Sequence, residues 1–193
     1  GALDMIHSLE WVRDNIAAFG GDPSNVLIFG ESGGGSKVCT LMAMDKAKGL
    51  FHRAVVQSGP RIRHQETEAA AKAADEVVTK LGLTKETISE ILSKPVADIQ
   101  AAADGVMGAG SGPSIGPSTP RHPFDPDAAP QAATVPLLIG CNRTEGTSLT
   151  PVDSPNHSLT WETLPAAIKL AFPTKNEKAV IDLYKAKHPD IEA

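Results

Sequence analysis

Apolar residues in the first part of the chain follow a helical spacing and then a strand pattern. The helix is indicated by residues that recur at intervals of three or four positions: Met5, Leu9, Val12 and Ile16. Gly20 and Gly21 come next and favour the left-handed backbone that ends a helix. Residues 26–29 form a short apolar run, which is typical of a strand buried on both faces of a parallel sheet.

The alternation of helix and strand continues along the chain. A Gly-rich turn leads to a predicted helix over residues 36–44, and residues 53–57 and 135–139 predict two further strands. Later helices are predicted at residues 70–81, 88–92, 166–172 and 177–186. This order predicts an α/β fold with a central, mostly parallel sheet, flanking helices and right-handed crossovers.

One segment lacks periodicity. Residues 105–130 are rich in Gly, Pro and Ser, which predicts a long surface loop. The 193 residues are enough for one domain of ordinary size, so we expect a single domain over residues 1–193 that carries this loop.

Composition excludes several classes of protein. The net charge of -5 argues against a nucleic-acid partner, which requires a surface rich in Lys and Arg. No apolar run approaches the roughly 20 residues that span a bilayer, so no membrane span is expected. Two cysteines do not make a disulfide framework, and we predict that Cys39 and Cys141 are both reduced and buried.

The turn between the first strand and the next helix carries the main chemical motif. Gly30, Glu31, Ser32, Gly33 and Gly34 match G-x-S-x-G, the turn that holds a nucleophilic serine above the carboxyl edge of a sheet. The helix start would place partial positive charge where an oxyanion forms. The alternative is an incidental serine in a Gly-rich turn, and the strand and helix on either side favour the nucleophile.

Three consecutive glycines at residues 33–35 predict a close backbone approach or unusual dihedral angles at the helix start. A phosphate-binding loop also joins strand to helix through glycines, but it requires Lys directly after the last Gly. Ser36 occupies that position here, Lys37 is one residue late, and Val38 replaces the required hydroxyl. The phosphate-loop hypothesis is therefore weak.

Longer stretches of the chain closely resemble the type-B carboxylesterases, a family that includes bacterial para-nitrobenzyl esterases and the cholinesterases. The resemblance is dense over residues 1–60, returns at about residues 119–146 and is thin elsewhere. The matching stretches are residues 11–26, 29–32, 49–54, 57–59, 135–140 and 145–146. The resemblance implies an α/β-hydrolase fold, present only in part, with its first strands and its C-terminal part missing.

The resemblance also implies roles for individual residues. Ser32 is the nucleophile, and Gly33 donates a backbone N–H to the oxyanion hole. Glu31 shapes the local electrostatics, Glu145 is the acid of the catalytic triad, and Ser58 supports the triad by hydrogen bonding. Taken alone, Glu145 would be interpreted as a solvated loop carboxylate, and Ser58 could equally be a turn residue at a strand end.

The activity implied by the resemblance is hydrolysis of a small-molecule carboxylic ester through an acyl-enzyme on Ser32, with no metal or cofactor. The alternative is a non-catalytic binding or adhesion module of the cholinesterase-like group. Such modules typically lose the nucleophile, so the presence of Ser32 and Glu145 favours the enzyme.

The catalytic histidine is the element that these residues do not provide. In this fold the triad order is Ser, acid, His, and only His157 and His188 follow Glu145. We expect His157 to be a loop residue and His188 a helix cap, and the family resemblance puts the catalytic His farther downstream. His52 and His64 are expected to be exposed.

The chain begins at Gly1 rather than Met, directly before a helical pattern, which we interpret as an internal cut. The Gly-rich oxyanion loop of the family would precede Gly1. Because the catalytic histidine and the oxyanion loop would both lie outside these residues, we expect the chain alone to be inactive.

Overall fold

A computed structural model describes residues 1–106, 112–171 and 176–190, and the chain divides into two compact units, Gly1–Cys141 and Asn142–Ala193. The first unit contains a sheet of three parallel strands in the order β1 (Leu27–Glu31), β2 (Arg53–Gln57) and β3 (Leu137–Gly140). Glu31 pairs with Gln57, and Gln57 pairs with Gly140, so the carboxyl ends of the strands are level. The predicted parallel α/β architecture is confirmed, with β2 at its predicted bounds.

The helices of the first unit are α1 (Ala2–Asn15), α2 (Gly33–Ala43), α3 (Thr67–Lys80) and α4 (Val96–Ala103). Gly20 and Gly82 have φ angles of 81° and 69°, so both take the left-handed conformation expected at a helix end. The predicted helix at residues 88–92 is a 3-10 helix, Ile88–Ser93. Helix α4 was not predicted, because its Ala-rich sequence carries too few large apolar residues to form a stripe.

Helix α2 forms the centre of the core. It packs against β1 and β2, and almost every residue after Lys37 is buried. Val56 of β2 is completely buried beneath it. Thr40 is completely buried on α2, and its hydroxyl donates to the carbonyl oxygen of Ser36 at 2.9 Å. This buried polar group therefore has a hydrogen-bond partner. The loop that carries Ser32 is therefore anchored by the most buried helix of the unit.

The outer strands are less buried than the sequence indicates. Leu27 and Phe29 of β1 are 48% and 72% exposed, so the prediction that this strand is buried on both faces is wrong. Cys39 is buried and reduced as predicted, but Cys141 is reduced and exposed. The shared reason is position: β1 and β3 each have a strand partner on one side only within the described sheet, and Cys141 directly follows β3.

Part of the predicted surface loop packs into the protein. Thr119, Pro123 and Ala129 are buried, and Ala129 belongs to the main core cluster. The backbone N–H of Phe124 donates to the carbonyl of Ile62 at 3.1 Å. The surface-loop prediction is therefore wrong for these residues, since apolar anchors fix a segment that has no periodicity. Residues 107–111 of the predicted loop lie outside the described residues.

The second unit contains two helices, α5 (Leu164–Ala171) and α6 (Glu177–Lys187), which pack against each other. Both helices were predicted, although residue 172 lies outside the described residues. The Lys185 ammonium lies 4.2 Å from the centre of the Trp161 ring, a cation–π contact. His188 is the C-cap residue of α6, as predicted. Across the described ranges, no helix is long and apolar enough to cross a membrane.

His64 is buried rather than exposed, which corrects the prediction for this residue. It is 4% exposed, and neither ring nitrogen has a hydrogen-bond partner within the described part of the chain. Burial lowers the pKa of His64 to about 4, and the charges of Arg61 and His122 act in the same direction. The folded protein therefore holds this imidazole in its neutral form.

The buried His64 predicts a loss of stability in mild acid. Its pKa is about 4 when folded and 6.5 when unfolded, so between these values the unfolded chain binds the proton more tightly. The free energy of unfolding should be fully retained above pH 6.5 and fall as the pH drops toward 4, by at most ~3 kcal/mol. His64→Leu should remove this dependence, measured by urea unfolding at pH 7 and pH 5.

His7 provides the control, because its side chain is 83% exposed on α1. His7→Leu should keep the acid dependence of the native protein. If His64→Leu keeps it as well, the proton that destabilises the fold binds elsewhere.

Candidate active site

Ser32 occupies the sharp turn between the last residue of β1 and the first residue of α2. Its φ and ψ angles are 52° and -118°, a sparsely populated conformation for a residue with a side chain that costs about 1–3 kcal/mol. Two backbone bonds hold it there. The Ser32 N–H donates to Gln57 at 2.8 Å, and its carbonyl accepts from Ser36 at 3.1 Å.

Two glycines make this turn possible because the backbone segments approach too closely for a side chain. A Cβ atom on Gly30 would lie 2.2 Å from the carbonyl carbon of Gly34, and one on Gly59 would lie 1.7 Å from the carbonyl oxygen of Ser32. Both distances are far below van der Waals contact with backbone that cannot move aside. Any other residue at either position would push Ser32 out of place.

The predicted close approach at residues 33–35 involves two of the three glycines: Gly34 through its backbone, which faces Gly30, and Gly35 through the space its own side chain would need. A Cβ atom on Gly35 would lie 3.1 Å from Val56, whereas one on Gly34 would meet nothing within 4 Å. All three glycines belong to α2, which begins three residues earlier than predicted. Gly30, at the strand end, makes the closer contact.

Ser32 is exposed, and its hydroxyl makes no capping bond to α2. It lines a cleft of about 440 Å³ together with Gly33, Ser36, Gly59, Pro60, Arg61, Ile62 and Arg63. The N–H of Gly33 lies in the first turn of α2, where backbone N–H groups have no partner within the helix. The first turn of α2 contains no acidic residue. No side chain of that turn therefore neutralises the partial positive charge at the helix start, which faces the cleft.

Two other predicted residues lie at the same edge of the sheet. Glu31 is the exposed last residue of β1. Ser58 directly follows β2 with a φ angle of 55°, and its N–H donates to Gly140 at 2.9 Å. Ser32 and Ser58 are therefore equivalent positions on neighbouring strands, and both have a positive φ angle, which residues with side chains rarely adopt.

Glu145 belongs to the second unit, five residues beyond the end of β3. It is half-buried, and its carboxylate accepts a hydrogen bond from the backbone N–H of Asn142. This bond closes a turn and fixes where the carboxylate lies within its own unit. The assignment of Glu145 as the triad acid stays a prediction.

His52 and His122 of the first unit have partners other than Ser32. His52 lies at the amino end of β2, where its Nδ1 accepts from the N–H of Val26 at 3.2 Å, and it is half-buried rather than exposed as predicted. His122 Nδ1 accepts from the N–H of His64 at 3.1 Å. Within residues 1–106 and 112–141, no histidine forms a hydrogen bond with Ser32. In the second unit, the ring of His157 contacts the carbonyl of Pro151 at 3.0 Å.

The thiol of Cys39 is not a candidate nucleophile, and the described residues contain no metal cluster. Cys39 is completely buried on α2, and burial raises the pKa of its thiol, so it stays protonated. The N–H of Arg61 points at its sulfur at 3.4 Å. Across residues 1–106, 112–171 and 176–190, no three His, Cys, Asp or Glu side chains group in a way that could hold a metal ion.

Arg61 is the residue of this cleft that sequence reasoning missed. Its Nε donates a hydrogen bond to the hydroxyl of Ser36, one helical turn beyond Ser32. The half-buried guanidinium therefore lies along one wall of the cleft. No motif marks this arginine, because its contact with Ser36 joins residues 25 positions apart in sequence.

The carboxylesterase family model matches residues 1–187. The chain is 38% identical to the para-nitrobenzyl esterase of Bacillus subtilis (strain 168) over an alignment of 193 positions, which covers 95% of this chain and 39% of that protein. It is 33% identical to the cocaine esterase of Homo sapiens, covering 75% of this chain and 27% of that protein. The chain thus spans about two fifths of the para-nitrobenzyl esterase and about a quarter of the cocaine esterase.

Solved structures give the same picture. A para-nitrobenzyl esterase superposes with a TM-score of 0.76 at 36% identity, covering 95% of this chain and 41% of that one. A carboxylesterase of Geobacillus stearothermophilus superposes with a TM-score of 0.78 at 33% identity, covering 96% and 39%. The predicted partial α/β-hydrolase fold is confirmed.

The glycine geometry predicts opposite effects for two substitutions in the same turn. Gly30→Ala forces a methyl group onto the backbone of Gly34 and should lower the free energy of unfolding by about 3 kcal/mol or more. Gly34→Ala has open space in a helix and should raise it by up to about 1 kcal/mol. Urea unfolding measures both, and equal effects would mean that the turn is not packed as described.

Proposed function

Because the chain belongs to the carboxylesterase family, we propose that it supplies the nucleophile, an oxyanion donor and the acid of a serine esterase. Ser32 is the nucleophile, Gly33 the donor and Glu145 the acid. The observation that carries the proposal is the conformation of Ser32: a strained backbone that presents an exposed hydroxyl at the start of a helix. The chain forms part of one α/β-hydrolase domain.

The first half of the reaction forms an acyl-enzyme. The Oγ of Ser32 attacks the ester carbonyl carbon while its proton passes to a histidine base. The carbonyl oxygen becomes negatively charged and accepts a hydrogen bond from the N–H of Gly33, where the positive end of α2 stabilises it. The bond to the alcohol oxygen then breaks, the histidine returns the proton to that oxygen, and the alcohol leaves.

The second half releases the acid. Water attacks the acyl carbon and gives a proton to the histidine, the bond to Ser32 breaks, and Oγ recovers the proton. The carboxylate of Glu145 would orient the histidine and stabilise its charged form. Glu31 and Ser58 would support this arrangement from the same sheet edge, through local charge and hydrogen bonding. No metal or cofactor takes part.

The histidine itself would come from a part of the protein beyond these residues. Four histidines precede Glu145 and do not fit the order Ser, acid, His. Of the two that follow it, His157 contacts the carbonyl of Pro151 and His188 caps α6. The chain alone would therefore be inactive or nearly so. Small-molecule carboxylic esters are the proposed substrates, since para-nitrobenzyl esters and cocaine give two relatives their names.

Covalent labelling tests the nucleophile. A fluorophosphonate probe should label the whole protein at Ser32, and Ser32→Ala should abolish labelling and lower kcat by at least about 10⁴-fold. Ser8→Ala is the control, because the Ser8 hydroxyl bonds only within α1. Peptide mapping by mass spectrometry identifies the labelled residue.

Two results would change the proposal. Absence of labelling in the whole protein would favour a non-catalytic binding module of the cholinesterase-like group. Strong labelling of the 193-residue chain alone would mean that a histidine within it completes the triad.

A substitution of the acid tests Glu145. Glu145→Gln removes the charge that stabilises the protonated histidine, so kcat should fall by about 10³- to 10⁴-fold while KM changes little. Glu162→Gln is the matched control, since Glu162 is an exposed carboxylate of the same unit. Unchanged kcat in Glu145→Gln would reassign the acid.

A further inference from the structure

We propose that Arg61 binds a negatively charged group of the ester, so that this site prefers esters that carry a carboxylate. The inference rests on the proposed esterase function, because it names the substrate class of the same cleft. Arg61 is a specificity-determining residue in this proposal, and it takes no part in the bond-breaking steps.

Position is the first support. Arg61 and Ser32 line the same cleft of about 440 Å³. The Nε of Arg61 is bonded to the hydroxyl of Ser36, which lies one turn of α2, about 5.4 Å of helix, beyond Ser32. An anion held by this guanidinium would thus lie within the span of a small ester bound at Ser32.

Orientation is the second support. A Cβ atom on Gly112 would lie 2.8 Å from Cζ and both terminal nitrogens of Arg61, so the backbone at Gly112 packs against the flat face of the guanidinium. With Nε bonded to Ser36, the plane of the group is fixed at two points. Its two terminal nitrogens can donate two parallel hydrogen bonds to the two oxygens of a carboxylate.

Charge is the third support, and Arg63 provides the comparison. Arg63 also lines the cleft, but it forms ion pairs with Glu66 and Asp125. Within the described residues Arg61 forms no ion pair, and the cleft lining contains no carboxylate. A half-buried arginine that has no carboxylate partner among the described residues is a candidate site for an anion from solution.

Two pairs of esters test the proposal in the whole protein. The first pair compares 4-nitrophenyl hydrogen adipate with 4-nitrophenyl hexanoate, which puts the charge on the acid side. The second compares the acetate esters of 4-hydroxybenzoate and 4-methylphenol, which puts it on the alcohol side. We expect a higher kcat/KM for the charged member of at least one pair, and the pair that responds identifies the side that Arg61 contacts.

Variants connect the preference to Arg61. Arg61→Gln should lower the ratio of kcat/KM for charged over neutral ester by about 10- to 100-fold. Gly112→Ala should lower the same ratio, because the new methyl group displaces the flexible end of Arg61 rather than any backbone. Arg63→Gln is the matched control and should change the ratio by less than about 3-fold, since its charge is already compensated.

Ionic strength gives a readout that a purely structural role of Arg61 would not move. The preference should weaken as salt is raised from 0.05 to about 0.5 M, because screening acts on the charged ester alone. Hydrolysis of the neutral esters with no preference in either pair would overturn the role of Arg61 and leave the esterase proposal standing. Hydrolysis of none of the four esters would overturn both.

Discussion

The close contact between three backbone segments at Ser32 is the constraint on which the rest of the site depends. Gly59, after β2, leaves no space between its Cα and the carbonyl of Ser32, and Gly30 does the same against Gly34. These contacts allow α2 to start directly at the strand end, above the sheet. The strain at Ser32 persists because the most buried helix of the unit is anchored on one side of it and a hydrogen-bonded strand on the other.

The same contact sets the electrostatics of the cleft. Because α2 begins at Gly33, its unpaired N–H groups open toward solvent beside Ser32 rather than into the core. The segment after Gly59 then carries Arg61 back across the first turn of α2 to Ser36. A helix terminus and a guanidinium thus add positive charge along one wall, and the compensated Arg63 adds little. This positive charge is what both the proposed esterase step, with its negatively charged carbonyl oxygen, and the proposed anionic substrate would require.

Local features of the sequence predicted the turn at Ser32, since a strand, two glycines and a helix lie within a few residues of it and depend on neighbours in sequence. Which residues the rest of the fold buries could not be predicted in the same way. Apolar residues in β1 looked like a fully buried strand, yet Phe29 is mostly exposed at the sheet edge, and Cys141 is exposed at the other. The prediction for His64 was wrong in the opposite direction. As a polar residue near a strand end it was expected to be exposed, but the folded protein buries it.

The two arginines after Pro60 show why the proposed specificity residue is harder to predict from sequence than the proposed nucleophile. In sequence they are equivalent, two cations separated by Ile62. In space, Arg63 meets two carboxylates from different segments, whereas Arg61 meets a neutral hydroxyl and a glycine. The distinction depends on which partners the fold brings to each side chain, and no local pattern encodes it. The proposed nucleophile requires a strained turn of small residues, and that requirement leaves a motif in the sequence. The proposed selectivity of Arg61 depends on the lack of a neutralising partner among the described residues, and that leaves no motif.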